Sequence, residues 1–348
     1  MNRFYATFIP GLQDLIADIV RERLPDAAIL NLFDGAILFE TGRSYDTLNF
    51  FCFNNIFACI SVAETGAEAH IAAIVRNSAP QGPDALAIMA RNSKKFRTFR
   101  VVISQENKLA AIDEKLRLAA EQYIARISGL KVDRTGPDAE FWFLYRSEGF
   151  SFFMKRLTLR PSWEKSLHPG ELPPPLVWML CHLGNLKHGD IVLDPFCGYG
   201  AIPSVALKHF HITQCIACDS NEKAAAYTAA RFKDRLSPFT MHKTDFRSLA
   251  SLLPEKSSID AIITDPPWGE YRENQNARLS IPQFYEEMFN IFDTLLKADG
   301  RIVILGGRSD NAVQIPLINA AQGRFALRRN IPILLSGKKA AIFCFGRE

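Results

Sequence analysis

The sequence predicts an α/β protein: a doubly wound, mainly parallel sheet closed by a C-terminal antiparallel hairpin, preceded by a separate α+β portion. Three observations predict it. From Pro175 onward, short apolar runs bounded by turn residues alternate with helical stretches, the pattern of strands buried on both faces of a parallel sheet. Upstream, β-like and amphipathic helical runs alternate less regularly, as when helices lie on a small mixed sheet. Between the two lies Leu172-Pro173-Pro174-Pro175, a proline cluster that can continue neither a ladder nor a helix. At 348 residues the chain exceeds the usual size of one core, which fits more than one domain.

The elements follow in order. The first strand is expected at 4–8 and the first helix at 12–24, where Leu12, Leu15, Ile16, Ile19, Val20 and Leu24 share a face. Further strands are expected at 29–33, 36–40, 56–63, 98–103, 141–145 and 150–157, and helices near 45–53, 67–76 and 108–128. Residues 158–175 read as a linker. Beyond it, strands are expected at 191–193, 214–218, 240–243, 261–264 and 301–305, with helices at 202–210, 222–235, 282–296 and 311–322. Two closing strands, 325–335 and 340–345, flank Ser336-Gly337-Lys338-Lys339, a tight-turn composition that reads as a hairpin.

Composition sets the boundaries. A formal charge of +4 and a pI near 8.6 are only mildly basic, so a nucleic-acid footprint has to be local. Seven scattered cysteines, an odd number, read as reduced thiols and predict a cytoplasmic protein. No leader-like N-terminus and no apolar run of about 18 residues is seen, so neither export nor a membrane is expected. Cys215 and Cys218 form a C-x-x-C, but residues three apart on a strand face opposite ways, so core packing is expected and no metal.

Chemistry concentrates at the expected strand ends. In Asp194-Pro195-Phe196-Cys197-Gly198-Tyr199-Gly200-Ala201, two glycines spaced by one residue let the backbone turn sharply and approach a ligand. The third glycine of a dinucleotide fingerprint is missing, with Pro203 in its place, and Asp194 suits a ligand carrying an ammonium rather than a diphosphate. About 20 residues on, Cys218-Asp219-Ser220-Asn221 offers Asp219 to ribose hydroxyls, although Asp219 or Asn221 capping the next helix is an equally simple reading. Lys243-Thr244-Asp245-Phe246 offers Asp245 to an adenine amino group and Phe246 to its face. At the fourth strand end stands Thr264-Asp265-Pro266-Pro267-Trp268-Gly269. Two prolines fix the backbone so that a carboxylate and a carbonyl point outward beside a large ring. A base amine fits that arrangement: Asp265 and the Pro266 carbonyl accept its protons, its lone pair is aimed at a methyl donor, and Trp268 stacks on the base for about 1–3 kcal/mol.

DPFCGYG, ACDSN and TDPPWG, in that order, resemble the motifs of class I methyltransferases acting on exocyclic base amines, and His168-Pro169-Gly170-Glu171-Leu172 resembles the HPxxL element of one subgroup. That subgroup is the THUMP-associated guanosine 2-amino tRNA methyltransferases. The resemblance implies S-adenosylmethionine as cofactor, with His168, Asp194, Phe196, Gly198, Gly200, Ala201, Asp219, Ser220, Asn221, Asp245 and Phe246 around it. It implies that Asp265, Pro266, Pro267 and Trp268 hold the target base, and that tRNA is the partner. It also implies a ferredoxin-like segment at 1–60, a THUMP-like segment at 61–157, and a Rossmann-like methyltransferase domain at 176–348. Trp268 departs from the commoner Tyr or Phe, which keeps the stacking face and enlarges the ring.

Residues 91–100 hold five basic side chains and no acid, and Lys94, Lys95, Arg97 and Arg100 read either as phosphate contacts or as a solvated face. Their place in the RNA-binding portion favours RNA. Three other functions compete: a DNA adenine methyltransferase, a protein-glutamine methyltransferase and a non-catalytic RNA-binding protein. Against them stand the lack of an inserted DNA-recognition segment, Asp265 where a glutamine enzyme prefers Asn, and the intact Asp194, Asp219 and Asp265. Oligomeric state is not encoded in any motif, and a monomer is favoured.

Overall fold

The computed structural model of the chain describes residues 1–45, 48, 50–76, 88, 96–105, 108–109, 112–158, 167–233, 238–253, 255–267, 280–307 and 311–348. They form two compact units: Met1–Phe8 with Gln13–Pro161, and Ile9–Leu12 with Ser162–Glu348.

The first unit runs β1 (Asn2–Thr7), α1 (Gln13–Arg23), β2 (Ala28–Phe33), β3 (Ala36–Thr41), β4 (Asn55–Ala63), α2 (Ala67–Arg76), β5 (Thr98–Gln105), β6 (Lys108–Leu109), α3 (Glu114–Ser128), β7 (Lys131–Val132), β8 (Ala139–Tyr145) and β9 (Ser151–Arg156). Its strands make one mixed sheet in the order β2-β3-β1-β4-β9-β8-β5-β6, with β7 beside β5. Stacked and edge-on rings hold its core: Phe143 lies 4.5 Å from Phe153, and Tyr5 4.7 Å from Phe152.

Two expected helices differ. At 108–128, Lys108 and Leu109 pair with Gln105 and Ser104 as a short strand, and the helix starts only after Asp113, whose carboxylate accepts the Lys115 amide at 3.1 Å. At 45–53 the described residues are not helical. Their rings bury individually instead, Tyr45 against Phe4 at 4.8 Å and Phe50 against Phe53 at 5.4 Å, so tertiary packing overrides the local pattern.

The second unit runs α4 (Pro174–Leu183), β10 (Ile191–Asp194), α5 (Ala201–His209), β11 (Gln214–Cys218), α6 (Glu222–Phe232), β12 (Phe239–His242), a 3-10 turn (Phe246–Ser248), α7 (Leu249–Leu252), β13 (Ile259–Thr264), α8 (Ile281–Leu295), β14 (Leu296–Gly307), α9 (Asn311–Ala321), β15 (Phe325–Leu335) and β16 (Lys338–Arg347). The sheet order is β12-β11-β10-β13-β14-β16-β15. All pairs through β14 are parallel, and β16 turns antiparallel to both neighbours. The predicted fold is therefore present: a doubly wound sheet with a C-terminal hairpin. Ser336 (φ 49°) and Gly337 (φ 79°) make the two-residue turn, in which left-handed dihedrals match the twist of the strands.

One helix escaped the sequence reading. Pro174 and Pro175 do not merely end a linker; they occupy the first turn of α4, where a missing amide hydrogen costs nothing. Because strand order reverses between β10 and β13, the carboxyl ends of those strands splay apart and leave a crevice. Among the described residues no helix is long and apolar enough to cross a membrane.

Candidate active site

The crevice is a cleft of about 270 Å³. Into it open Asp194, Phe196, Gly198, Ala201, Asp219, Ser220, Asn221, Asp245, Phe246, Asp265 and Pro267, together with 169–172. Residues up to 98 positions apart in sequence thus meet at one sheet edge because parallel strands present all their carboxyl ends to the same side.

Asp194, the last residue of β10, is 1% exposed. Its Oδ1 accepts the Phe196 amide at 3.2 Å and the Thr264 hydroxyl at 3.1 Å, which ties the end of β10 to that of β13. Its Oδ2 is buried and accepts no hydrogen bond among the described residues. Burial, reinforced by the Asp219 and Asp265 carboxylates, pushes the Asp194 carboxyl well above the ordinary aspartate range. A buried acceptor without a donor is costly, and an ammonium group brought into the cleft supplies the missing donor. The residues present therefore fit the amino-acid end of S-adenosylmethionine.

The glycine loop is held by its neighbours. Gly198 (φ 50°) and Gly200 (φ 81°) are left-handed, and a Cβ on Gly200 would stand 2.9 Å from Thr228 Cγ2 on α6. The Thr228 hydroxyl donates to the Gly198 carbonyl at 2.8 Å. Asp219 accepts the Gly198 amide at 2.7 Å on Oδ2 and the Asn221 amide at 2.8 Å on Oδ1, so it joins the two strand-end loops. The helix cap of α6 is Asn221, which accepts the Ala224 amide at 3.1 Å; Asp219 keeps its remaining lone pairs for the cleft. Asp245 caps the 3-10 turn through the Arg247 amide at 3.0 Å. The buried Phe246 ring packs 5.0 Å from Phe196 and 5.5 Å from Phe284. Below the Asp265 loop lies Tyr285 of α8, whose phenol burial, with the Asp265 carboxylate adding, pushes up to about 12.

Three expected residues lie behind the wall rather than in it. Gly200 faces α6, and neither the Pro266 nor the His168 side chain lines the cleft. His168 stacks on Tyr199 at 4.1 Å and meets Tyr227 edge-on at 4.5 Å. Sequence reasoning missed the anchor beside it. Glu171 accepts the His168 amide at 3.1 Å and the Arg231 guanidinium at 3.0 Å, and Arg231 also donates to the Tyr199 carbonyl at 3.0 Å and the Ser204 hydroxyl at 3.3 Å. No spacing signals a pair 60 residues apart.

Trp268 lies outside the described residues, as do Lys94 and Lys95. In the first unit Arg97 is exposed, whereas Arg100 is ion-paired with Glu140, which leaves it less charge to offer a phosphate. All seven cysteines are buried and unpaired, and the Cys218 thiol donates to the Thr244 carbonyl at 3.1 Å. Among the described residues no group of His, Cys, Asp and Glu is arranged to hold a metal.

Comparison with known proteins bears on the fold and the family. The RMKL-like methyltransferase domain of the UPF0020 family matches residues 161–315. A Methanocaldococcus jannaschii protein named tRNA (guanine(10)-N2)-dimethyltransferase is 33% identical over 117 residues, 32% of each chain, so this chain spans about a third of that relative. A Methanothermococcus thermolithotrophicus protein named "Probable tRNA (guanine(10)-N2)-dimethyltransferase" is 31% identical over 142 residues, which are 39% of this chain and 82% of that one. Among solved structures, TrmN from Thermus thermophilus superposes with a TM-score of 0.80 over 100% of both chains at 21% identity, which shows a shared fold. With most of the second relative matched at that identity, the chain belongs to the RMKL-like methyltransferase family.

Proposed function

We propose that the protein transfers the methyl group of S-adenosylmethionine to the 2-amino group of guanosine in tRNA. The observation that carries this reading is that Asp265 and Pro267 open onto the same cleft as Asp194 and Asp219. The names of the archaeal relatives support guanosine and tRNA.

When bound, S-adenosylmethionine supplies an electrophilic methyl on a sulfonium. Asp194 Oδ2 would accept from the ammonium of the donor, Asp219 from its ribose hydroxyls and Asp245 from its adenine amine, with Phe246 against the ring. On the substrate side Asp265 and the Pro266 carbonyl would accept hydrogen bonds from the two amine N–H groups, localising a lone pair that the purine ring otherwise delocalises. As the N–C bond forms and the S–C bond breaks, the sulfur leaves as a thioether, one N–H stays on the product and the other proton passes to Asp265 or water. Trp268 stacks on the base. Holding amine and methyl in line supplies most of the acceleration, since the leaving group is already activated.

In this reading the ferredoxin-like segment 1–60 and the THUMP-like segment 61–157 grip the RNA, with Lys94, Lys95, Arg97 and Arg100 near phosphates, and the protein acts in the cytoplasm as a monomer. The buried reduced thiols support that compartment. The test is nucleoside mass spectrometry of unmodified tRNA incubated with the protein and labelled donor. Labelled N2-methylguanosine is the expected result; label on adenosine of duplex DNA, or on protein alone, would overturn the substrate.

A further inference from the structure

Basic charge in the second unit gathers on its last strand pair. Residues 324–347 contain Arg324, Arg328, Arg329, Lys338, Lys339 and Arg347 and no acidic residue. Two of the six are neutralised, Arg324 by Glu286 at 2.7 Å and Arg347 by Asp293. Arg328 donates to the Arg347 carbonyl at 2.9 Å, and neither it nor Arg329, Lys338 or Lys339 meets a carboxylate among the described residues. All four are exposed.

Their position follows from the register. The parallel strands direct their carboxyl ends at the cleft, and β16 runs opposite to β14 with Ala340 beside Gly307, so the turn that precedes β16 sits at the cleft edge of the sheet. Thr264 pairs with Ile304, and Ile304 with Phe343. Lys339 is four residues beyond Phe343 toward that edge, and Asp265 is one beyond Thr264. At about 3.4 Å per residue and 4.8 Å per strand, Lys339 lies about 14 Å from Asp265 in the plane of the sheet. That span is about four nucleotides of stacked strand. From the turn, the outermost strand β15 carries the charge about 20 Å back to Arg329.

Edge strands often carry Lys or Arg to block edge-to-edge pairing. That role does not account for the two lysines, because they stand on β16, which lies between β14 and β15 and is not an edge.

We propose that Arg328, Arg329, Lys338 and Lys339 form a track along the rim of the C-terminal hairpin for the phosphates flanking the target nucleotide. Lys338 and Lys339 leave opposite faces at the end of the strand, so that the backbone is gripped from both sides of the turn within the catalytic unit itself. The proposal rests on the RNA reading above. It is tested with the full chain and its Lys338→Gln/Lys339→Gln and Arg328→Gln/Arg329→Gln variants, by binding of unmodified tRNA from 50 to 200 mM salt, steady-state kinetics and calorimetry of S-adenosylmethionine. Each lysine that contacts a phosphate contributes roughly 0.7–0.9 to the slope of log affinity against log salt. The lysine variant should therefore lose about 1.4–1.8 of slope and show a several-fold higher KM for tRNA, with kcat and donor affinity unchanged. An unchanged slope and KM overturn the track, and so does a variant whose sole defect is self-association. Wild-type protein that methylates no tRNA overturns the substrate reading instead. The slope is then read on whichever nucleic acid takes up label, and if none does, the track falls as well.

Discussion

Asp194 couples the cleft to pH. Burial raises its carboxyl above the ordinary value of 3.8 it has in an unfolded chain, so between 3.8 and that raised value the folded state holds a proton the unfolded state has lost. Its contribution to stability is complete below 3.8 and disappears as pH rises through the raised value. Asp194→Asn removes the loss, so urea midpoints of variant and wild type should diverge in the variant's favour from pH 4 upward; parallel curves would show that Asp194 is ionised in the folded protein without penalty. The same variant should bind S-adenosylmethionine roughly 10- to 100-fold more weakly, as a hydrogen bond to a charged group is worth about 1.5–3 kcal/mol. Asp265 belongs to the other half of the cleft. Asp265→Ala should lower single-turnover methylation about 10²- to 10³-fold, the usual loss for one acceptor or donor at a reacting centre, while calorimetric donor affinity stays within two-fold. Loss of donor binding in that variant would place Asp265 on the cofactor instead. Asp219→Ala should behave in the opposite way, since it also releases the Gly198 amide that shapes the loop.

At the scale of elements, the wall formed by 169–172 is only as fixed as its anchor. Glu171 and Arg231 are 7% and 29% exposed at their side chains, and Arg231 joins the wall to α5, α6 and the glycine loop. Arg231→Met and Glu171→Gln should each weaken donor binding about ten-fold with kcat little changed, and the double variant should be no worse than either. Independent, additive losses would show that the two act separately. This anchor also marks where sequence reasoning stops. The βα alternation was legible because Ile191, Ile216 and Ile262 sit in short apolar runs that only a doubly covered sheet explains. The glycine loop and the Asp-Pro-Pro loop were legible because each keeps its chemistry within a few consecutive residues. The start of α4 was hidden by prolines that usually end structure, and its buried residues, Leu176 to Cys181, are apolar all round and show no helical stripe. Glu171 with Arg231, and the paired Lys108–Leu109, depend on partners far away in the chain, which no local pattern reports.

For the whole molecule, the division into two units is not a single cut in the sequence. Ile9–Leu12 leaves the first unit and belongs to the second, where Ile9 and Leu12 are 5% and 2% exposed and Pro10 accepts the Leu334 amide. Burying two such side chains is worth about 3–6 kcal/mol at most, a large share of the roughly 5–15 kcal/mol that holds a domain folded. The segment fits because Gly11 has no side chain: its φ is +96°, and a Cβ there would stand 2.1 Å from the Pro332 carbonyl oxygen. Gly11→Ala in the full chain should therefore unseat the segment and destabilise the second unit. Two units that unfold separately give two transitions, and the donor labels one of them, because a ligand raises only the transition of the unit that binds it. The transition that moves up with added S-adenosylmethionine should be the one that moves down by several degrees in Gly11→Ala. If the substitution lowers the other transition and spares the donor-sensitive one, Ile9–Leu12 stabilises the first unit, and the discontinuous division is wrong.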